Sequence, residues 1–305
     1  MSYDVLVIGG GPAGITAAIY AKRAGREVAV VERYVPGGQL NLIGEIENYT
    51  GFSKIDGAAL AYNMYQHARK LEVPFIIDEI VDVDLECDEK ILKGKKDEYN
   101  AKAIIIAGGS YTKELNIEGE QKFKGRGVSY CALCDGNFFK EKVVAVVGSG
   151  DSAFSDTQYL SSLCKHVYLL TKENLKLHNY AENAFDDTPN VTILRGAISQ
   201  KIEGDESVEK LFYKTAGREE CLNVDGVFVA IGRTPDTKIL DGKIDLTERG
   251  YIKTDDKMQT SKEGVYACGD IRESQIKQIA TAVGDGAMAG TEASKYVLRQ
   301  LYTKK

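Results

Sequence analysis

The chain has 305 residues, of which 43% are apolar and 28% charged, and a formal net charge of −6. That length suits two domains of ordinary size, and that balance is typical of a soluble globular protein. The negative charge argues against a nucleic-acid or membrane-surface partner, since both attract basic faces, and no apolar run approaches the roughly 20 residues that span a bilayer. Met1-Ser2-Tyr3-Asp4 leads straight into an apolar run with no basic region or cleavage signal, so a cytoplasmic location is expected. There the six cysteines are not expected to form structural disulfides. Cys87, Cys164, Cys221 and Cys268 stand singly and read as small, semi-buried residues.

The run Tyr3 to Ile8 reads as a buried parallel strand. It opens into Gly9-Gly10-Gly11-Pro12-Ala13-Gly14. In that turn Gly9 permits the tight bend, Gly11 lets the backbone approach a pyrophosphate, and Gly14 lets the helix pack closely on the strand. Ile15 to Ala24 has helical periodicity, and its N-terminal amides and dipole would face the phosphates. A second strand, Glu27 to Val31, delivers Glu32 at its tip, near the usual spacing of about 20 residues for an acid that grips ribose hydroxyls. The same pattern returns at Lys142 to Val147, Gly148-Ser149-Gly150-Asp151-Ser152-Ala153, a helix from Ala153 to Cys164 and a strand from His166 to Leu170. Alanine replaces the third glycine there, as the motif permits. Two such units make a duplicated nucleotide-binding architecture of the α/β class.

Just upstream of the second unit stand Cys131 and Cys134. A Cys-x-x-Cys pair can be half of a zinc site. The chain has only three histidines, His67, His166 and His178, and no second such pair, so no metal is expected. The spacing places both sulfurs in one helical turn, close enough for a readily reduced disulfide, and a helix N-terminus would favour the thiolate of the first. Asp135 reads either as an acid that delivers a proton to a leaving sulfur or as an ordinary acid in a first helical turn.

With these motifs in place, the chain resembles the low-molecular-weight thioredoxin reductases. The likeness rests on the first fingerprint, Pro36-Gly37-Gly38-Gln39-Leu40, Glu45-Ile46-Glu47-Asn48-Tyr49, Ser129-Tyr130-Cys131-Ala132-Leu133-Cys134-Asp135-Gly136, Val227 to Gly232, Tyr266-Ala267-Cys268-Gly269-Asp270, and Gln278-Ile279 to Ala287. It spans essentially the whole chain. It implies two Rossmann-like domains of three-layer ββα build: an FAD domain of residues 1–113 plus 243–305, and a pyridine-nucleotide-type domain of residues 114–242 carrying the dithiol. Domain rotation about short connections is expected between them. The resemblance implies FAD against Gly9, Gly11, Pro12, Ala13, Gly14, Glu32, Gly38, Gln39, Leu40 and Asn48, with Gly269, Asp270, Gln278 and Ile279 near the ribityl chain and flavin ring. Gln39 and Asn48 also read as plain loop residues. Ala107-Gly108-Gly109 departs from the family's Ala-Thr-Gly, and a small change of loop packing is expected there. Cys134 resembles the sulfur that faces the flavin, Cys131 the sulfur that attacks the thioredoxin disulfide, and Asp135 the proton donor and acceptor. A homodimer is expected.

The electron donor is less directly written. NADPH-using relatives carry His-Arg-Arg-x-x-x-Arg after the second unit's strand, where arginines clamp the 2′-phosphate. Here the stretch is Thr171-Lys172-Glu173-Asn174-Leu175-Lys176-Leu177. A carboxylate about 4 Å from a phosphate costs roughly 1 kcal/mol in water and about 4 at an effective dielectric near 20. With the lost charge-assisted bonds, NADPH affinity is expected to fall by at least roughly a hundredfold. Reduced ferredoxin is therefore the favoured donor. NADH, with Glu173 gripping an unphosphorylated ribose, and NADPH held by the lysines stand as alternatives. Lys122, Lys124, Arg126, Lys140 and Lys142 form a candidate basic surface for an acidic ferredoxin. A ferredoxin-NADP reductase-like flavoprotein shares the two-domain build but lacks the dithiol, and a peroxiredoxin-reducing flavoprotein often carries a further domain with a second Cys-x-x-Cys.

Overall fold

The computed structural model describes residues 2–172, 175 and 185–303; Glu173, Asn174, Lys176, Leu177 and His178 of the sequence reading lie outside them. The chain crosses between two units twice, after Tyr111 and after Arg233, so that one unit is Thr112–Arg233 and the other is made of the residues on either side.

In the discontinuous unit the strand Ser2–Ile8 is central. It pairs in parallel with Val28–Glu32 on one side and Glu98–Ile106 on the other, and Phe75–Ile77 extends the sheet beyond Val28–Glu32. Side chains alternate between two faces, as the pleat demands. Val5 and Val7 enter a core with Ala13, Ile15, Ala17, Ala289 and Ala293 of the helices Pro12–Arg23 and Ile279–Thr303. Leu6 enters a second core with Val83, Leu92 and Ile104. Burial on both faces explains the unbroken apolar run.

The strand Glu98–Ile106 belongs to two arrangements at once. Its first residues pair antiparallel with Lys90–Gly94, which pairs with Ile80–Asp84, and its last residues pair parallel with Val265–Ala267. The contiguous unit repeats the plan. Its parallel sheet runs Val128–Ser129, Gly226–Val229, Val143–Val147, His166–Thr171, Val191–Arg195, and beside it stands an antiparallel meander of Ile198–Glu203, Lys210–Thr215 and Arg218–Asn223. Two Rossmann-like domains of α/β class follow.

Both fingerprint helices start earlier than their periodicity indicates, at Pro12 and Asp151. Proline fits the first helical position, where no N–H is needed and φ is already set. The return crossing falls ahead of the residue-243 boundary read from sequence, because Leu240 and Ile244 are buried in the core around Leu92 and Val265.

The helices Pro12–Arg23 and Ile279–Thr303 meet through glycines. A Cβ on Gly286 would lie 2.2 Å from the Ala13 carbonyl oxygen, and one on Gly290 would lie 2.3 Å from that of Ala17. Gly290→Ala is therefore expected to destabilise the protein by about 1–3 kcal/mol, the usual cost of overpacking, and a lowered thermal midpoint with an unchanged flavin spectrum checks it.

Candidate functional site

The first phosphate loop is shaped by contacts that leave no room for side chains. Gly9 has φ +103°, and a Cβ there would sit 2.5 Å from the Ala107 carbonyl oxygen; one on Gly14 would sit 1.9 Å from that of Gly9. Gly11 precedes Pro12 at the helix start, and a Cβ on Gly11 would meet nothing within 4 Å. The backbone is thus sealed against the protein at Gly9 and Gly14 and open at Gly11. Ala13 lies in the first turn. The Gly37 N–H donates to the Gly10 carbonyl at 2.7 Å, and Gly38, with φ +55°, brings its backbone against Gly11. Glu32 Oε2 accepts the Gly10 N–H at 2.6 Å, and its Oε1 accepts the Tyr34 N–H at 2.9 Å. The acid at the strand tip therefore also braces the loop.

The remaining residues expected against a flavin gather on the same unit. Gln39 Nε2 donates to the Ser110 carbonyl at 2.6 Å. Leu40 is buried, and Ile279 packs against its cluster with Ile46 and Leu60. Asn48 Nδ2 donates to Gln278 Oε1 at 3.1 Å across 230 residues of sequence. Gly269, with φ +75°, comes so close to the loop helix that a Cβ would lie 2.8 Å from that of Ala13, and its N–H donates to Asp285 Oδ2 at 3.1 Å. Arg272 grips the same carboxylate with two nitrogens, at 2.7 and 3.0 Å. The Asp270 carbonyl accepts Lys277 Nζ at 2.9 Å. At Gly108 a Cβ would press on Ile271 Cδ1 at 3.2 Å, so this departure lets the Ile271 side chain lie close to the loop. Sequence reasoning missed Arg33, whose guanidinium pairs with Asp236 at 3.2 Å, donates to the Tyr111 hydroxyl and lies over the rings of Tyr34 and Tyr111. Its partners are far apart in sequence, and no motif marks it.

In the other unit, Cys131 and Cys134 form a disulfide with Cα atoms 5.3 Å apart. Cys131 is the N-cap of the one-turn helix Ala132–Asp135, and the Cys134 N–H points at Cys131 Sγ from 3.2 Å. Cys134 is exposed and Cys131 half-buried. Asp135 follows on the same turn, its Oδ2 accepting the Ser129 hydroxyl at 2.6 Å. Burial pushes the Asp135 carboxyl above the usual range, partly offset by that hydrogen bond. One further residue escaped the sequence reading. Glu120, fully buried, accepts the Leu115 and Asn116 N–H groups at 2.9 and 2.7 Å and the Tyr130 hydroxyl at 2.9 Å. It thereby fixes the residue next to Cys131.

A glycine-sealed dinucleotide cradle and a disulfide with a neighbouring raised carboxyl define a disulfide oxidoreductase of the nucleotide-binding kind. The family model for pyridine nucleotide-disulphide oxidoreductases matches residues 3–286. A thioredoxin reductase of Bacillus subtilis is 39% identical over 299 residues, covering 97% of this chain and 95% of its own. The crystal structure of a Streptococcus pyogenes thioredoxin reductase is 37% identical with a TM-score of 0.92, covering 98% of this chain and 99% of that one. A ferredoxin-flavin thioredoxin reductase from Clostridium acetobutylicum is 33% identical with a TM-score of 0.54, over 99% of both chains. The chain belongs to the pyridine nucleotide-disulphide oxidoreductase family, among the low-molecular-weight thioredoxin reductases. Its activity is that of an oxidoreductase acting on disulfides, and the family implies FAD as cofactor and thioredoxin as substrate.

The cradle fits FAD in that the backbone is sealed at Gly9 and Gly14 and a Cβ on Gly11 would meet nothing within 4 Å, which leaves room there for a pyrophosphate. Replacing Glu32 by alanine removes the charge-assisted bond that holds the Gly10 peptide. Flavin affinity is expected to fall at least about tenfold, read as flavin fluorescence released on dilution.

Proposed function

We propose that this chain is a flavoprotein thioredoxin reductase whose electrons come from reduced ferredoxin and leave through Cys131 and Cys134. FAD, when bound, supplies a two-electron carrier able to reduce a disulfide. The glycines at 9, 11 and 14 with Pro12 and Ala13 would take its pyrophosphate at the helix N-terminus. Glu32 would serve the ribose. Gly38, Gln39, Leu40, Asn48, Gly269, Asp270, Gln278 and Ile279 would line the rest.

Cys134 is the sulfur that receives electrons and Cys131 the sulfur that attacks. The Cys131 thiolate attacks one sulfur of the thioredoxin disulfide; a mixed disulfide forms and the other thioredoxin sulfur leaves. Cys134 then attacks Cys131, the mixed disulfide breaks, and the second thioredoxin thiol is released as the Cys131–Cys134 bond re-forms. The Cys134 N–H at 3.2 Å from Cys131 Sγ stabilises negative charge on that sulfur when the disulfide is open. Asp135 holds the proton exchanged with the leaving sulfurs, and burial raises its affinity for one above that of an ordinary carboxylate. The observation that carries this reading is the disulfide set one residue before a half-buried acid.

The donor assignment rests on the sequence Thr171-Lys172-Glu173-Asn174-Leu175-Lys176-Leu177, which lacks the arginines that hold a 2′-phosphate. The retained Gly148-Ser149-Gly150 turn favours NADH or NADPH as the second reading. Among the described residues no helix is long and apolar enough to cross a membrane, and a cytoplasmic homodimer completes the proposal.

Anaerobic titration of the purified yellow protein separates the donors. Reduced ferredoxin is expected to bleach the visible flavin band rapidly and NADPH to do so slowly; fast bleaching by low-micromolar NADPH overturns the assignment. Cys134→Ser is expected to keep the flavin and lose thioredoxin reduction, and a variant that still reduces thioredoxin at the original rate removes the dithiol from the path.

A further inference from the structure

Ser129 is the last residue of the strand Val128–Ser129, two residues before Cys131, and is 5% exposed. Its hydroxyl oxygen accepts the Cys131 N–H at 3.1 Å. Its single proton has two acceptors in reach, Asp135 Oδ2 at 2.6 Å and the Cys131 carbonyl at 3.4 Å. A hydroxyl has one donor to give. The short distance assigns it to the carboxylate while Asp135 is charged. When Asp135 takes a proton, its own O–H becomes the donor to Ser129, and the serine proton is free to turn to the Cys131 carbonyl.

We infer that Ser129 is a positioning residue for disulfide exchange, a hydroxyl that couples the protonation of Asp135 to the backbone of Cys131 and favours the acid's charged form against its burial. The inference deepens the proposed reaction and rests on Asp135 as its proton carrier. Burial raises the proton affinity of Asp135 and the serine hydrogen bond lowers it, so the hydroxyl sets where between these opposing pulls the acid titrates. Among the described residues, Cys131 and Cys134 lie on this turn and Tyr130 beside it, and the helix Asp151–Ser161, whose Tyr159 and Leu160 would meet a Cβ on Gly136 at 2.9 and 3.2 Å, carries Asp151, Asp156 and Tyr159. Burial also pushes Asp156 up, to about 6, so its titration has to be separated from that of Asp135.

The test uses flavin-loaded enzyme reduced anaerobically with dithionite, desalted, and mixed with dithiodipyridine, a small aromatic disulfide. The rate of thiopyridone release is followed against pH, in the natural chain and in an Asp156→Asn background. Asp135→Asn identifies the inflection due to Asp135 as the one it abolishes. Ser129→Ala is expected to raise that inflection by about one pH unit or more, the size of losing one charge-assisted hydrogen bond. Ser129→Thr, which keeps the hydroxyl, is expected to leave it in place, and Ser129→Val, of the same shape, to raise it as alanine does. The threonine–valine pair carries the comparison if the alanine variant loses its flavin. An inflection unmoved in the alanine and valine variants but abolished in Asp135→Asn overturns the role of Ser129 alone. An inflection that survives Asp135→Asn overturns the reading of Asp135 on which it stands.

Discussion

A side chain on residue 14 would begin 1.9 Å from the carbonyl oxygen of Gly9, nearer than any real Cβ approaches. Much of the discontinuous unit depends on that approach. It seats the helix Pro12–Arg23 directly on the end of the strand Ser2–Ile8, so the first helical turn stands beside the bend. Because that helix sits so low, Gly269 can reach Ala13 from the far end of the sequence, and Gly286 can cross over the Ala13 carbonyl. One backbone contact thereby sets the loop, the helix crossing and the position of the Asp270 segment. The second unit is also tight at the equivalent place, where a Cβ on Gly148 would lie 2.4 Å from the Ala230 carbonyl oxygen and 2.7 Å from the Ala153 methyl. There Ala153 stands in for the third glycine.

The dithiol is held in another manner. A single helical turn has no stability of its own, and Ala132–Asp135 is one turn. Polar atoms fix it instead. Glu120 ties Tyr130 to the peptides of Leu115 and Asn116, and Ser129 ties Cys131 to Asp135. Buried hydrogen bonds are directional, so they hold the sulfurs in place more sharply than apolar packing would. Fully satisfied, such a network also avoids the cost of burying an unpaired charge.

These two kinds of order differ in how plainly they are written in the chain. Local rules were enough for the strand Ser2–Ile8, the glycine turn and Glu32, because each follows from neighbours a few residues away. The pairing of α/β units was legible for the same reason. Arg33 could not be read, since Tyr111 and Asp236 come to it only through the finished fold. Nor could the bond from Asn48 to Gln278 be read from spacing; the family resemblance placed both residues near the flavin without joining them. No motif marks Glu120, and only its burial gives it a task. The helix starts were misplaced because apolar periodicity begins after the first turn, while Pro12 and Asp151 mark the true beginnings.

The shared strand Glu98–Ile106 has a bearing on biosynthesis. Its upstream neighbours in the sheet leave the ribosome early, but Val265–Ala267, which completes its other half, and the helix Ile279–Thr303, which covers Val5 and Val7, emerge only after the inserted unit. The inserted unit is contiguous and has all its strands by Gly226–Val229. Vectorial synthesis thus completes the insert before the strand and helix that finish the host sheet, and leaves that nascent sheet with one flank bare in between, an interval in which a chaperone or early cofactor capture would matter most.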